Sequence, residues 1–108
     1  MTRLLVCGGR NYTDYWTVHE VLNGFHKSRP VSCLIVGGAL GVDRFAQRWA
    51  SDRDVTVWSV GLKAGPIRNR RMIVEGKPDH VIAFPGGKGT ANMIDQAKRA
   101  GIPVMRIE

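Results

Sequence analysis

Four segments, three of them glycine-rich, hold the residues of this chain best suited to chemistry. The sharpest is Pro85-Gly86-Gly87-Lys88-Gly89-Thr90. It follows the apolar run His80–Phe84 and precedes a stretch of helical periodicity. That places it between a strand and a helix N-terminus. Glycines let successive backbone N–H groups turn toward one oxyanion. The helix dipole adds about 0.3–1 kcal/mol at an exposed site. Thr90 is placed to cap the helix or to bond a phosphate oxygen, and Lys88 to add charge or to extend into solvent. The loop is not a Walker A sequence, because the Gly-Lys-Ser/Thr ending is missing. The competing interpretation is a tight turn with no ligand.

The other three segments are weaker alone. Gly8-Gly9-Arg10 follows Leu4–Cys7. Its glycines permit close backbone approach, and Arg10 is either a fork for a phosphate or carboxylate or an ordinary surface arginine. Gly37-Gly38-Ala39-Leu40-Gly41-Val42-Asp43 follows Cys33–Val36. Gly37 and Gly38 again permit close approach. Asp43 opens a helix, where a carboxylate is favoured, as a cap or as a partner for a ribose hydroxyl or base edge. In Pro66–Met72, Arg68 and Met72 stand at i, i+4 on one helix face, with Asn69 beside them. Arg68, Arg70 and Arg71 diverge, so a solvated basic turn is the alternative.

The elements that position these segments alternate as strand and helix. Strands are expected at Leu4–Cys7, Cys33–Val36, Val55–Val60, His80–Phe84 and Val104–Ile107. A first helix, capped near Thr13 or Asp14, carries Val18, Val21, Leu22 and Phe25 on one face and ends at Ser28-Arg29-Pro30. A second shows Val42, Phe45, Ala46, Trp49 and Ala50. A short third is opened by Gly65-Pro66 and closed by Gly76-Lys77-Pro78. A fourth carries Ile94, Ala97 and Lys98 and stops at Gly101. Apolar strands this short read as buried on both faces. The fold class is therefore α/β, a single Rossmann-like doubly wound parallel sheet of about five strands. Ligands of such sheets bind at the carboxyl ends of the strands, near the switch point. The loops after strands one, two and four are expected to meet there.

The 108 residues suit one domain, and 44% hydrophobic residues can supply its core. So short a domain buries a modest share of its surface, which favours a homodimer or higher homo-oligomer. A net charge of +7 points to anionic partners: phosphates, nucleotides or nucleic acid. Cys7 and Cys33 sit in apolar runs and read as buried free thiols, which fits a cytoplasmic protein. No apolar stretch approaches a membrane span and no signal-peptide pattern opens the chain. His19, His26 and His80 show no metal spacing, no Ser-His-Asp set is arguable, and no cofactor is implied. Trp16, Trp49 and Trp58 are assigned to packing rather than to base stacking.

Taken together, the motifs are familiar. The Pro85–Thr90 segment resembles the Pro-Gly-Gly-x-Gly-Thr signature of the SLOG superfamily, which joins the DNA-processing protein A and "lonely guy" families. Gly37–Asp43 resembles the Gly-x-Ala-x-Gly-Ile-Asp loop of the DNA-processing proteins. Gly8-Gly9-Arg10 with Tyr12 and Asp14, and Ala64–Asn69 with Met72, resemble the compact YspA-like branch of bacteria and phages. The resemblance implies a Rossmann-like domain that binds nucleotides or nucleotide-derived ligands and often dimerises. The lonely-guy enzymes cleave the N-glycosidic bond of nucleoside monophosphates with an Arg in Arg-Lys-x-x-Met and a Glu in Pro-Gly-Gly-x-Gly-Thr-x-x-Glu. Here Arg68 and Met72 match the first pattern, with Asn69 in place of Lys, but Met93 stands at the glutamate position. A carboxylate there would stabilise oxocarbenium-like charge or activate water; methionine does neither. Asp95 lies about 200° around the helix from position 93. The catalytic residue is therefore unassigned, with Arg68 and Asp43 as candidates.

Three functions follow as expectations. The first is binding of a nucleotide or nucleotide-sugar, ADP-ribose-like, by Gly8, Gly9, Arg10, Gly37, Gly38, Asp43, Arg68, Asn69 and the Pro85–Thr90 loop. The second is a phosphoribohydrolase-type N-glycosidase. The third is single-stranded DNA binding, implied by the resemblance and the basic charge.

Overall fold

In the computed structural model, residues 2–60 and 66–108 are described. Within them lie β1 (Thr2–Cys7), α1 (Tyr15–Ser28), β2 (Val31–Val36), α2 (Val42–Asp52), β3 (Thr56–Ser59), α3 (Pro66–Val74), β4 (His80–Ala83), α4 (Lys88–Arg99) and β5 (Val104–Arg106). All strand pairings are parallel, in the order β3-β2-β1-β4-β5. The chain moves outward from β1 to β3, then crosses to β4 on the other side. The switch point therefore lies between β1 and β4, where their following loops diverge.

The helices cover both faces, as the alternating pattern requires. Leu4 and Val6 of β1 and Leu34 and Val36 of β2 pack with Val18 and Leu22 of α1 and Ala46 and Trp49 of α2. Leu5, Cys33, Ile35 and Val81 point the other way, to Met72 of α3 and Met93 and Ala97 of α4. Burial on both faces holds for β1, β2 and β4. It fails for β3 and β5, whose residues are largely exposed or half-buried. These two are the sheet edges, where the helices no longer overhang both sides.

Local signals account for the helix ends. Asp14 caps α1 by accepting from the Thr17 N–H at 3.1 Å. Arg29 follows as C-cap and its N–H closes on the Phe25 carbonyl. Helix α3 begins at Pro66 within the described residues; Ala64 and Gly65 lie outside them. Of the tryptophans, Trp49 is fully buried and Trp58 half-buried, but Trp16 is 69% exposed and does not serve the core.

Candidate functional site

The loops after β1, β2 and β4 meet at the carboxyl edge of the sheet. The Gly9 N–H donates to the Pro85 carbonyl at 2.9 Å, and the Val42 N–H to the Gly9 carbonyl at 3.3 Å. Between these loops and α3 opens a cavity of about 580 Å³, within the range of small-molecule sites. Gly8, Gly9, Arg10, Gly37, Asp43, Arg68, Asn69 and Pro85 through Thr90 all line it. Of the residues expected at the site, Gly38 alone does not. It turns the chain at φ +84° instead.

Several glycines turn out to make room for protein. A Cβ on Gly8 would stand 2.5 Å from Val42 Cγ2. One on Gly86 would meet the Thr90 hydroxyl and, at 2.8 Å, the Gly9 nitrogen. Gly37 lies under two charged groups: its Cβ would be 3.0 Å from Arg68 Cζ and 3.1 Å from Asp43 Oδ2. Gly87 and Gly89 face open space.

Asp43 and Arg68 converge over Gly37 at the base of the cavity. Asp43 is not a helix cap; Gly41 holds that position. Its carboxylate folds back and accepts from the Ala39 N–H at 3.1 Å, bracing the loop after β2. Burial pushes its pKa up from 3.8 to about 6, against the opposing pull of the Ala39 N–H and the Arg68 guanidinium. Among the described residues Arg68 Nε is buried without a hydrogen-bond partner, while the half-buried side chain lines the cavity. Cys7 lies on the same floor. Burial and the Asp43 charge raise its thiol to about 12, which disfavours the thiolate.

Asn69 has a positioning role. It is buried, and its Nδ2 donates to the Gly89 carbonyl at 3.0 Å and to Asn92 Oδ1 at 3.1 Å. Gln96 extends the network, donating to Asn92 Oδ1 at 2.7 Å and to the Pro66 carbonyl at 3.2 Å. These bonds tie α3 to the first three turns of α4. Asn69→Ala should therefore lower stability by about 1–3 kcal/mol, since the Gly89 carbonyl and Asn92 lose a partly buried donor. Urea denaturation reads the loss; an unchanged midpoint would remove the clamp from this account.

The Pro85–Thr90 loop is shorter than its sequence implies. Helix α4 starts at Lys88, so Lys88-Gly89-Thr90 forms its first turn, with Gly87 as N-cap and no side-chain cap bond. Thr90 is therefore inside the helix and cannot cap it. Met93 is 1% exposed in the core, and Asp95 pairs with Arg99 at 2.8 Å. Neither lines the cavity, which leaves Asp43 as its carboxylate among the described residues. Arg70 and Arg71 do not line it either, and Arg71 pairs with Glu75. Cys7, Asn11, Tyr12, Ala39 and Met72 complete the lining. Tyr12 rests on Phe84, with ring centroids 5.9 Å apart. Among the described residues no group of His, Cys, Asp and Glu could hold a metal ion, and no helix is long and apolar enough to cross a membrane.

The fold and the cavity define a Rossmann-like parallel α/β domain with a glycine-walled pocket at its switch point. Among the solved structures that share that fold are the following two. One is MurG of Acinetobacter baumannii: TM-score 0.62 and 13% identity, over 98% of this chain and 34% of that one. The other is tRNA N6-threonylcarbamoyladenosine dehydratase, TcdA, of E. coli, solved in complex with AMP: TM-score 0.62 and 15% identity, over 97% of this chain and 49% of that one. The chain spans less than half the length of either, and the likeness is one of fold. The family model described as "YspA, cpYpsA-related SLOG family" matches residues 2–64. The Gene 61 protein of Mycobacterium phage D29 is 35% identical, over 97% of this chain and 95% of the phage protein. The chain belongs to this SLOG family, as its glycine motifs indicated.

Proposed function

We propose that the protein binds a nucleotide or nucleotide-derived ligand of the ADP-ribose type in the switch-point cavity. A phosphate lies at the Gly87–Thr90 turn, and the ribose or base lies over Gly37 toward Asp43 and Arg68. The observation that carries this reading is the half-buried Arg68 guanidinium, whose Nε has no hydrogen-bond partner among the described residues, in a cavity bordered by a helix N-terminus without a side-chain cap. The helix N-terminus asks for acceptor oxygens from outside the chain, and the guanidinium lining the cavity offers donors to them. The AMP bound to TcdA supports the ligand class for this fold. Lys88 and Arg10, both exposed on the rim, add positive potential.

A ligand at a hundred times its Kd stabilises by about 2.7 kcal/mol, which raises Tm by roughly 10 °C or more in a domain of this size. AMP, NAD and ADP-ribose at millimolar concentration supply the test by thermal unfolding. Arg68→Ala should weaken binding roughly ten- to a hundredfold, the loss of a charge-assisted hydrogen bond. No shift with any of the three would end the nucleotide reading.

Asp43 favours a second reading, N-glycosidic hydrolysis, because a cavity carboxylate with a pKa of about 6 suits acid–base work. Water would add to the anomeric carbon and the base would leave with a proton. Chromatography detects the free base from AMP; its absence across several nucleoside monophosphates rejects hydrolysis and leaves binding.

A further inference from the structure

The Gly86-Gly87 ridge has a second hollow on its far side. This cavity of about 300 Å³ is bounded by Ala91 and Ile94 of α4 and by Arg106, Ile107 and Glu108 at the end of the chain. Its remaining wall includes Pro85, Gly86, Gly87 and Thr90, all shared with the main cavity. Gly86 and Gly87 carry no side chains, and a Cβ on Gly87 would meet only open space. The wall common to the two cavities thus includes two adjacent residues without side chains, and the N-terminus of α4, which has no side-chain cap, lies beside them.

The smaller cavity has a distinct chemistry. Ala91, Ile94 and Ile107 offer apolar surface to a ring face. Arg106 supplies donors and Glu108 an acceptor, a pairing suited to neutral hydroxyls. A further phosphate would meet the Glu108 carboxylate, and the volume is about half that of the cavity assigned to the nucleoside. We infer that this second cavity takes the terminal sugar of a nucleoside diphosphate sugar, with the diphosphate laid across Gly86-Gly87 and the nucleoside in the main cavity. The inference rests on the nucleotide reading above.

Two matched series test it by calorimetric titration: AMP, ADP and ADP-ribose, and UMP, UDP and UDP-glucose. In the better-bound series the sugar nucleotide should bind at least tenfold tighter than its diphosphate. Ala91→Trp fills the second cavity from an exposed helix position and should abolish that gain, leaving the monophosphate affinity within about twofold. Arg106→Ala should reduce the gain without refilling the space. A sugar nucleotide that binds no tighter than its diphosphate overturns the second cavity alone, as does a gain that survives Ala91→Trp. Failure of every member of both series to bind overturns the nucleotide reading as well.

Discussion

Gly41→Ala should destabilise the protein by about 4 kcal/mol and collapse the candidate site with it. Gly41 sits at φ +71° and ψ −125°, a sparsely populated conformation that costs a Cβ-bearing residue about 1–3 kcal/mol. Space is the larger obstacle. Its Cβ would collide with the Gly9 carbonyl oxygen and stand 2.7 Å from the Arg10 carbonyl carbon and oxygen. All of these are backbone atoms, so no flexible side chain can yield. Forced separation costs a further 1–3 kcal/mol or so. Relief would push the loop after β1 away from the start of α2 and break the Val42 N–H bond to the Gly9 carbonyl. A domain of this size has a total stability of roughly 5–15 kcal/mol, so the variant should unfold near physiological temperature. Gly24→Ala is the control. Gly24 is exposed in the interior of α1, and its Cβ would meet nothing within 4 Å. Alanine there should raise stability by about 0.5–1 kcal/mol. Denaturant titration of the two variants should move in opposite directions; a Gly41→Ala protein of near-native stability would refute the contact.

Asp43→Asn should stabilise the protein at neutral and alkaline pH, and the size of the effect should depend on pH. The folded carboxyl titrates near 6 because burial disfavours its charge, whereas the unfolded one titrates near its ordinary value of 3.8. Between those values the folded state holds the proton and the unfolded state has released it. Stability contributed by this group is therefore full below pH 3.8 and declines as pH rises to about 6. Above that, the buried charge costs about 3 kcal/mol, from 1.36 kcal/mol for each unit of the difference. Asparagine keeps an oxygen to accept from the Ala39 N–H and carries no charge. The variant and wild type should have equal unfolding free energies near pH 4, and the variant should be more stable by roughly 2–3 kcal/mol at pH 8. A difference that does not change with pH would refute the buried charge. Retaining a destabilising carboxylate beside the Arg68 guanidinium is the pattern of a site kept for function. Under the proposed function, the stabilised variant should accordingly lose affinity for AMP, NAD or ADP-ribose relative to wild type, measured by the same thermal shifts.

Much of the architecture was legible in the sequence because its signals are local. Val18, Val21, Leu22 and Phe25 repeat at helical spacing, and α1 buries that side. Short apolar runs ending in glycine marked β1, β2 and β4, and the alternation of strand and helix implied parallel strands. Glycine runs at strand ends then located the cavity, since parallel strands bring their carboxyl-end loops to one edge. Strand ends were less legible: β2 begins at Val31, two residues before the apolar run, where Ser32 interrupts the pattern.

What the tertiary structure alone decided involves residues far apart in the chain. Arg68 and Asp43 are separated by 25 positions, and only folding brings both over Gly37. That encounter turns a glycine suited to ligand approach into one that accommodates a guanidinium, while the burial of Asp43 by the packed elements raises its pKa against the pull of Arg68. Asn69, a candidate ligand residue by motif, is engaged by Gly89 and Asn92 through the packing of α3 on α4. Cys7 joins the cavity floor because β1 ends beside α3. The second cavity exists only because β5 is hydrogen-bonded beside β4. Periodicity and turn chemistry act over a few residues and leave their mark in sequence. Which side chain fills a given space, and which buried charge faces which, depends on the packing of whole elements, and no local pattern encodes it.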